Sequence, residues 1–220
     1  MLPAFKNNDL LTNALTHRSA LNEHISSSAE SNERLEFLGD AVLELITTEY
    51  LYANFPQEPE GVLTAYRSAL VKTTTLAELA LELGVGQIMY MSKGEEATGG
   101  RENTGLLADT LEAIIGALYL DQGYQVVVTF LTATLFPKFE AIKQQRLYKD
   151  AKSELQELVQ SQGFETPLYE VLQEVGPDHN KQFTVVVRVG GKEIGVGNGK
   201  SKQQAQQAAA AIALDQRATT

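Results

Sequence analysis

Residues 32–42, NERLEFLGDAV, set Glu33, Glu36 and Asp40 at helical intervals. At ~100° per residue they fall within a sector of about 60° on one face, and Glu44 continues the row. Like charges one turn apart repel by a few tenths of a kcal/mol, roughly, and Arg34 stands at the wrong offset to relieve the Glu36–Asp40 pair. A second segment, GLLADTLEAIIGALYLDQG at 105–123, carries only Asp109 and Glu112 as charges between Leu106 and Leu120. These two share a face of a helix that is otherwise apolar or small on almost every side, the pattern of a core element. Ionised carboxylates there cost several kcal/mol each unless they are paired or bound to a cation. Should the two helices face each other, four oxygen donors converge. Hard oxygen ligation without His or Cys suits Mg²⁺ or Mn²⁺, ions that commonly act on phosphates. A solvated acidic face for 33–44, and an internal ion pair or helix-dipole contact for Asp109 and Glu112, stand beside that reading, because spacing does not show that the helices meet.

The elements that must position these groups are helical. From Asn7 to about Leu135 apolar residues recur at three and four, interrupted by SSSAESN at 26–32, FPQEPEG at 55–61 and SKGEEATGGREN at 92–103. Within the acidic stretch Leu35, Leu38, Val42 and Leu45 form the expected buried face, with Phe37 and Ala41 bracketing the acids from the other flank. Gly39 costs ~1 kcal/mol against Ala in a helix interior, which points to close approach of a neighbour, with an incidental surface glycine as the alternative. After Gln145 the texture changes. KSELQELVQSQG predicts an amphipathic helix ending at Gly163, LYEVLQEV and QFTVVVRV alternate with period two, KEIGVGNG is a third short strand, and SKQQAQQAAAAIALDQ is an Ala/Gln-rich helix. The polar connector KQQRLYKD divides the chain into residues 1–147 and 148–220.

Bulk properties narrow the function classes. Cys is absent from the 220 residues, so neither a disulfide framework nor a thiolate metal site is available. The net charge of -10 argues at first sight against a nucleic-acid partner, but it is unevenly placed. Residues 1–150 hold 11 Lys+Arg against 20 Asp+Glu, whereas residues 151–220 hold 7 against 8. The opening MLPAFKNNDLL lacks a basic flank before an apolar run, and no uninterrupted apolar stretch approaches about 18 residues. A cytoplasmic protein with no membrane association is expected.

NERLEFLGDAVL, ADTLEAIIGALYLDQG and, ahead of them, ALTHRSALNE at 14–23 together resemble the ribonuclease III family. The downstream part is similar to the double-stranded RNA-binding domain of bacterial members, through KSELQE, GPDHNKQF and GNGKSKQQAQQAAA. The resemblance implies an all-α endonuclease domain followed by a small α+β (α-β-β-β-α) double-stranded RNA-binding domain. It further implies a homodimer that cleaves double-stranded RNA with Mg²⁺, leaving 5′ phosphate and 3′ hydroxyl ends with short 3′ overhangs, in the processing of rRNA and mRNA precursors.

By motif position, Glu36, Asp40, Asp109 and Glu112 would bind the metal, with Asp40 and Glu112 the catalytic pair. Glu33 and Glu60 match auxiliary acidic positions, and Phe37 matches an aromatic at the dimer contact that otherwise reads as core. Gln156 and His179 would meet RNA minor grooves and Lys200 and Lys202 its phosphates. His17 and His24 read as structural or surface residues. One departure stands out: Gln203, Gln204, Gln206 and Gln207 occupy the last helix where many such domains cluster Lys or Arg. Weaker RNA affinity and a shallow salt dependence are expected of this domain. A non-catalytic RNA binder and a phosphohydrolase of small substrates are the alternatives, disfavoured by the retained carboxylates and by the RNA-binding module respectively.

Overall fold

The computed structural model describes residues 2–23, 28, 30–144, 151–177 and 181–218 and divides into two compact units, Met1–Tyr148 and Lys149–Thr220. The first is helical: α1 (Asn8–Ala14), α2 (Arg18–Leu21), α3 (Glu33–Asn54), α4 (Glu60–Val71), α5 (Thr73–Glu82), α6 (Val85–Ile88), α7 (Lys93–Ala97), a 3₁₀ turn at Gly100–Glu102, α8 (Thr104–Gln122), α9 (Tyr124–Thr134) and α10 (Lys138–Gln144). The second contains α11 (Ala151–Ser161), β1 (Leu168–Val175), β2 (Gln182–Val189), β3 (Lys192–Gly199) and α12 (Lys202–Ala218).

Helix α8 is the axle of the first unit. Ala113, Ile114, Ile115, Ala117 and Leu118 have no exposed surface, as expected of a helix apolar on nearly every side. Its start is capped by Asn103, whose side chain accepts from the Leu106 N–H at 3.1 Å. Helices α1, α3, α5 and α9 pack around it. The helical pattern runs beyond Leu135: Phe136, Phe139 and Ile142 fold back on the core, with Phe136 stacked on Tyr50 at 3.9 Å and Phe139 edge-on to Tyr66 at 4.9 Å between ring centroids. The segment 92–103, read from sequence as a break, contains α7, because Ser92 Oγ accepts from the Glu95 N–H at 3.1 Å and starts a short turn of helix. No helix among the described residues is long and apolar enough to cross a membrane.

In the second unit an antiparallel sheet of order β1-β2-β3 carries α11 and α12 on its buried face. Phe183, Val185, Val187 and Val189 of β2 point into that core opposite Leu155, Val159, Ala205 and Ala209. Helix α12 lies directly on β3: a Cβ added to Gly197 would sit 2.1 Å from the Ala209 backbone nitrogen, and one on Gly195 2.5 Å from the Ala209 carbonyl oxygen. Strand β1 departs from the expected alternation. The register shifts between Val171 and Gln173, and Leu168, Val171, Leu172 and Val175 are all exposed. A bulge at an edge strand unpairs one residue and breaks the period of two.

Candidate active site

The site is built where α3 crosses α8. A Cβ on Gly39 would lie 1.8 Å from the Glu112 carbonyl oxygen, and one on Gly116 2.3 Å from the Leu35 carbonyl oxygen. The neighbour that Gly39 admits is therefore the backbone of α8. Two helices touching backbone to backbone bring the side chains flanking the contact to the same place. Buried Asn32, just before α3, donates from its side-chain amide to Thr110 Oγ1 at 3.4 Å and ties the helices together at this end.

Carboxylate oxygens of Glu36, Asp109 and Glu112 lie within 4.8 Å of one another, and all three residues are half-buried. Asp40 lies outside this trio, exposed on α3, but among the surrounding charges it contributes most to the field on Glu112. Burial, followed by the charges of Asp40, Asp109, Glu36 and Glu44, pushes Glu112 from 4.5 up to about 8. Glu36 is raised by burial and then by Asp109, Glu33 and Asp40. Asp109 is raised by burial, with His17 opposing the shift. Among the described residues no ion pair reaches Glu36, Asp40, Asp109 or Glu112, whereas Glu44 pairs with Arg67 at 2.9 Å and Glu33 with Arg18 at 3.7 Å. Ligands of an ion at ~2.1 Å stand roughly 3 to 4 Å apart, so this set of oxygen donors fits a hard divalent cation after small side-chain rotations.

The cluster opens into a cleft of about 370 Å³ lined by His17, Arg18, Glu33, Glu36, Asp109 and Thr110, among others. His17 caps α2, its Nδ1 accepting from the Ser19 N–H at 3.3 Å, and is half-buried. The structural role expected of it is thus joined by a place on the cleft wall. Spacing gives no hint of that place, which depends on a bridge between Thr16 and Tyr90.

Other expected residues stand apart. Glu60 is exposed at the first position of α4 and accepts from the Thr64 hydroxyl at 3.1 Å. Phe37 is not core: its side chain is 81% exposed and borders a separate groove of about 1010 Å³ with Leu10, Leu35, Leu38 and Leu120. Leu45, expected on the buried face, is also exposed, and the inward row of α3 is Leu35, Gly39, Val42, Leu43 and Ile46.

In the second unit Gln156 is exposed on α11, away from its buried Leu155 and Val159. Lys200 and Lys202 are exposed together at the start of α12, the Lys202 ammonium 5.8 Å from the Phe183 ring. His179, like His24, lies outside the described residues. Three of the glutamines on α12 have internal partners. Gln204 closes a cap with Ser201, accepting from the Lys200 N–H at 3.1 Å. Gln206 accepts from Lys152 Nζ at 2.7 Å, and Gln207 from the Lys152 N–H at 3.4 Å.

Residues 7–139 match the family model described as Ribonuclease-III-like, and residues 151–217 that of the double-stranded RNA binding motif. The chain is 51% identical over 211 residues to Ribonuclease 3 of Geobacillus thermodenitrificans, covering 96% of this chain and 85% of the relative. It is 51% identical over 210 residues to Ribonuclease 3 of Bacillus licheniformis, covering 96% and 84%. Among solved structures it is similar to the ribonuclease III nuclease domain of Campylobacter jejuni, in a structure described for flexibility in a region involved in dimer formation. There the identity is 44%, the coverage 59% of this chain and 87% of that one, and the TM-score 0.54. It is also similar to Dicer from Pichia stipitis, at 31% identity, covering 97% and 96%, with a TM-score of 0.50.

Proposed function

The chain belongs to the ribonuclease III family, and from that premise we propose that it is a Mg²⁺-dependent endoribonuclease of double-stranded RNA. In this reading it leaves 5′ phosphate and 3′ hydroxyl ends with short 3′ overhangs, and matures rRNA and mRNA precursors in the cytoplasm. The catalytic part occupies residues 1–147 and the duplex-binding part residues 148–220. The observation that carries the reading is the convergence of half-buried Glu36, Asp109 and Glu112, none of which has an ion pair among the described residues.

Glu36, Asp40, Asp109 and Glu112 would hold the ion, and Asp40 and Glu112 would be the pair on which cleavage depends most. When bound, Mg²⁺, or Mn²⁺ in its place, supplies Lewis acidity that activates water and steadies charge on the scissile phosphate and departing 3′ oxygen. Glu112, pushed up to about 8 by burial and its acidic neighbours, would have to give up its proton to serve as a ligand, so ion affinity would rise with pH toward about 8. Glu33 holds Arg18 from the rim, and Glu60 is an outlying acid.

Homodimer formation is supported by exposed Phe37, Leu45 and Tyr52 on α3, since burying a ring such as that of Phe37 contributes about 1.5–3 kcal/mol. In the duplex-binding part Gln156 and His179 would contact minor grooves, and Lys200 and Lys202 the phosphates between them. The test is incubation with a long RNA duplex, with Mg²⁺ and with EDTA, followed by mapping of the ends. Cleavage confined to the Mg²⁺ arm, with 5′ phosphates and 3′ overhangs, is expected; intact duplex in both arms would reduce the protein to a binder.

A further inference from the structure

Four carboxylates around one divalent ion leave two negative charges uncompensated, and an RNA phosphodiester brings another. A site that must admit phosphate therefore needs cationic groups or N–H donors on its free side. The cleft supplies them from the start of α2. Arg18 extends along the rim, 3.7 Å from Glu33, and its side chain remains 74% exposed. His17 is held from behind: its backbone N–H donates to the Tyr90 carbonyl at 2.9 Å, and its Nδ1 lies 2.8 Å from Ser19 Oγ. Ser19 Oγ accepts from the Ser92 N–H at 2.9 Å, which leaves the hydroxyl proton for Nδ1. With the Ser19 N–H also directed at Nδ1, the hydrogen-bond network assigns the ring proton to Nε2. That N–H has no role in capping α2.

We propose that the His17 Nε2–H and the Arg18 guanidinium form the phosphate-binding wall of the active-site cleft, receiving the RNA backbone opposite the acidic cluster. Glu33 acts through Arg18, orienting it along the rim, and Ser92 acts through Ser19, locking the imidazole. This assignment rests on the proposed nuclease function, and it concerns side chains that neither ligate the ion nor build the core.

The experiment uses the full chain. His17→Asn keeps an acceptor suited to the helix cap while removing the distal donor, and His17→Ala removes both. Wild type and His17→Asn should share a melting temperature, while kcat/KM for duplex cleavage with Mg²⁺ falls about tenfold in His17→Asn, the size of one hydrogen bond to a charged group. Arg18→Ala should raise KM with little change in kcat and lower the slope of log affinity against log salt by about one. The slope is measured by duplex binding in the non-cutting Glu112→Gln background. Wild-type kcat/KM and salt slope in both variants would overturn the proposal, as would losses in His17→Asn that merely follow a lower melting temperature. Failure of the wild type to cut any duplex would overturn the nuclease function instead, with the Arg18 slope still reading phosphate contact.

Discussion

Each unit lays a helix directly on a neighbour's backbone through glycine, at Gly39 and Gly116 in one and at Gly195 and Gly197 in the other, yet the polar groups beside the two contacts are treated in opposite ways. At the α3–α8 crossing, half-buried carboxylates face one another with no ion pair to any of them among the described residues. Along α12, the side-chain oxygen of Gln204 accepts from the Lys200 N–H, and those of Gln206 and Gln207 accept from the Lys152 ammonium and N–H of the same unit. Unrelieved charge is destabilising, so its presence marks a place completed by a ligand. Amide oxygens engaged in this way stabilise the domain and leave fewer acceptors for RNA.

The sharpest break in that contrast comes from Glu112→Gln. Duplex cleavage should fall by more than about 100-fold, a loss that even outer-shell changes around metals reach, while duplex binding stays close to wild type. Retained cutting would show that the unrelieved acids serve something else. Gly39→Ala comes next. Its Cβ would meet the Glu112 carbonyl oxygen at 1.8 Å, so the helices must part, costing about 1–3 kcal/mol as overpacking and reducing cleavage through a misplaced Glu112. Gly197→Ala should cost similar stability but weaken duplex binding; thermal melts and binding isotherms on both variants compare the two crossings.

A third measurement reads the strain in the bare cluster. Between pH 4.5 and about 8 the native chain keeps a Glu112 proton that the unfolded chain has released. Stability without divalent ions therefore falls as pH rises through this window, and above about 8 the penalty is complete. In EDTA the melting temperature should drop more between about pH 5 and pH 9 in wild type than in Glu112→Gln, by roughly 2–4 °C after allowance for solvent screening. An equal drop in both would remove Glu112 as the source. The smallest effect concerns α12: Gln203→Lys adds a cation on an exposed position and should steepen the salt dependence of duplex binding by about one unit of slope. An unchanged slope would place Gln203 away from RNA.

Much of this organisation is written in local pattern. The helix, three strands and helix of the second unit fall where period and turn residues put them, and Asp109 and Glu112 stand out because nothing else near them is charged. What local pattern omits is pairing. Gly39 signals a close neighbour, but only the fold supplies Gly116 and the Glu112 carbonyl. Phe37 and Leu45 are apolar yet exposed, and hydropathy cannot distinguish a core face from one reserved for a partner. His17 reaches the cleft through the Tyr90 segment, more than seventy residues on, so its position there is a tertiary fact. The period of β1 failed for a local reason that is equally hidden, the extra residue at Leu172.

That extra residue bears on how the protein behaves when concentrated. A straight edge strand with Leu168, Val171, Leu172 and Val175 exposed would be a template on which other chains could add strand upon strand. The kink at Leu172 spoils the run of evenly presented amides that such growth requires. Deleting Leu172 should therefore yield a chain that scatters light at concentrations where the natural one stays dispersed.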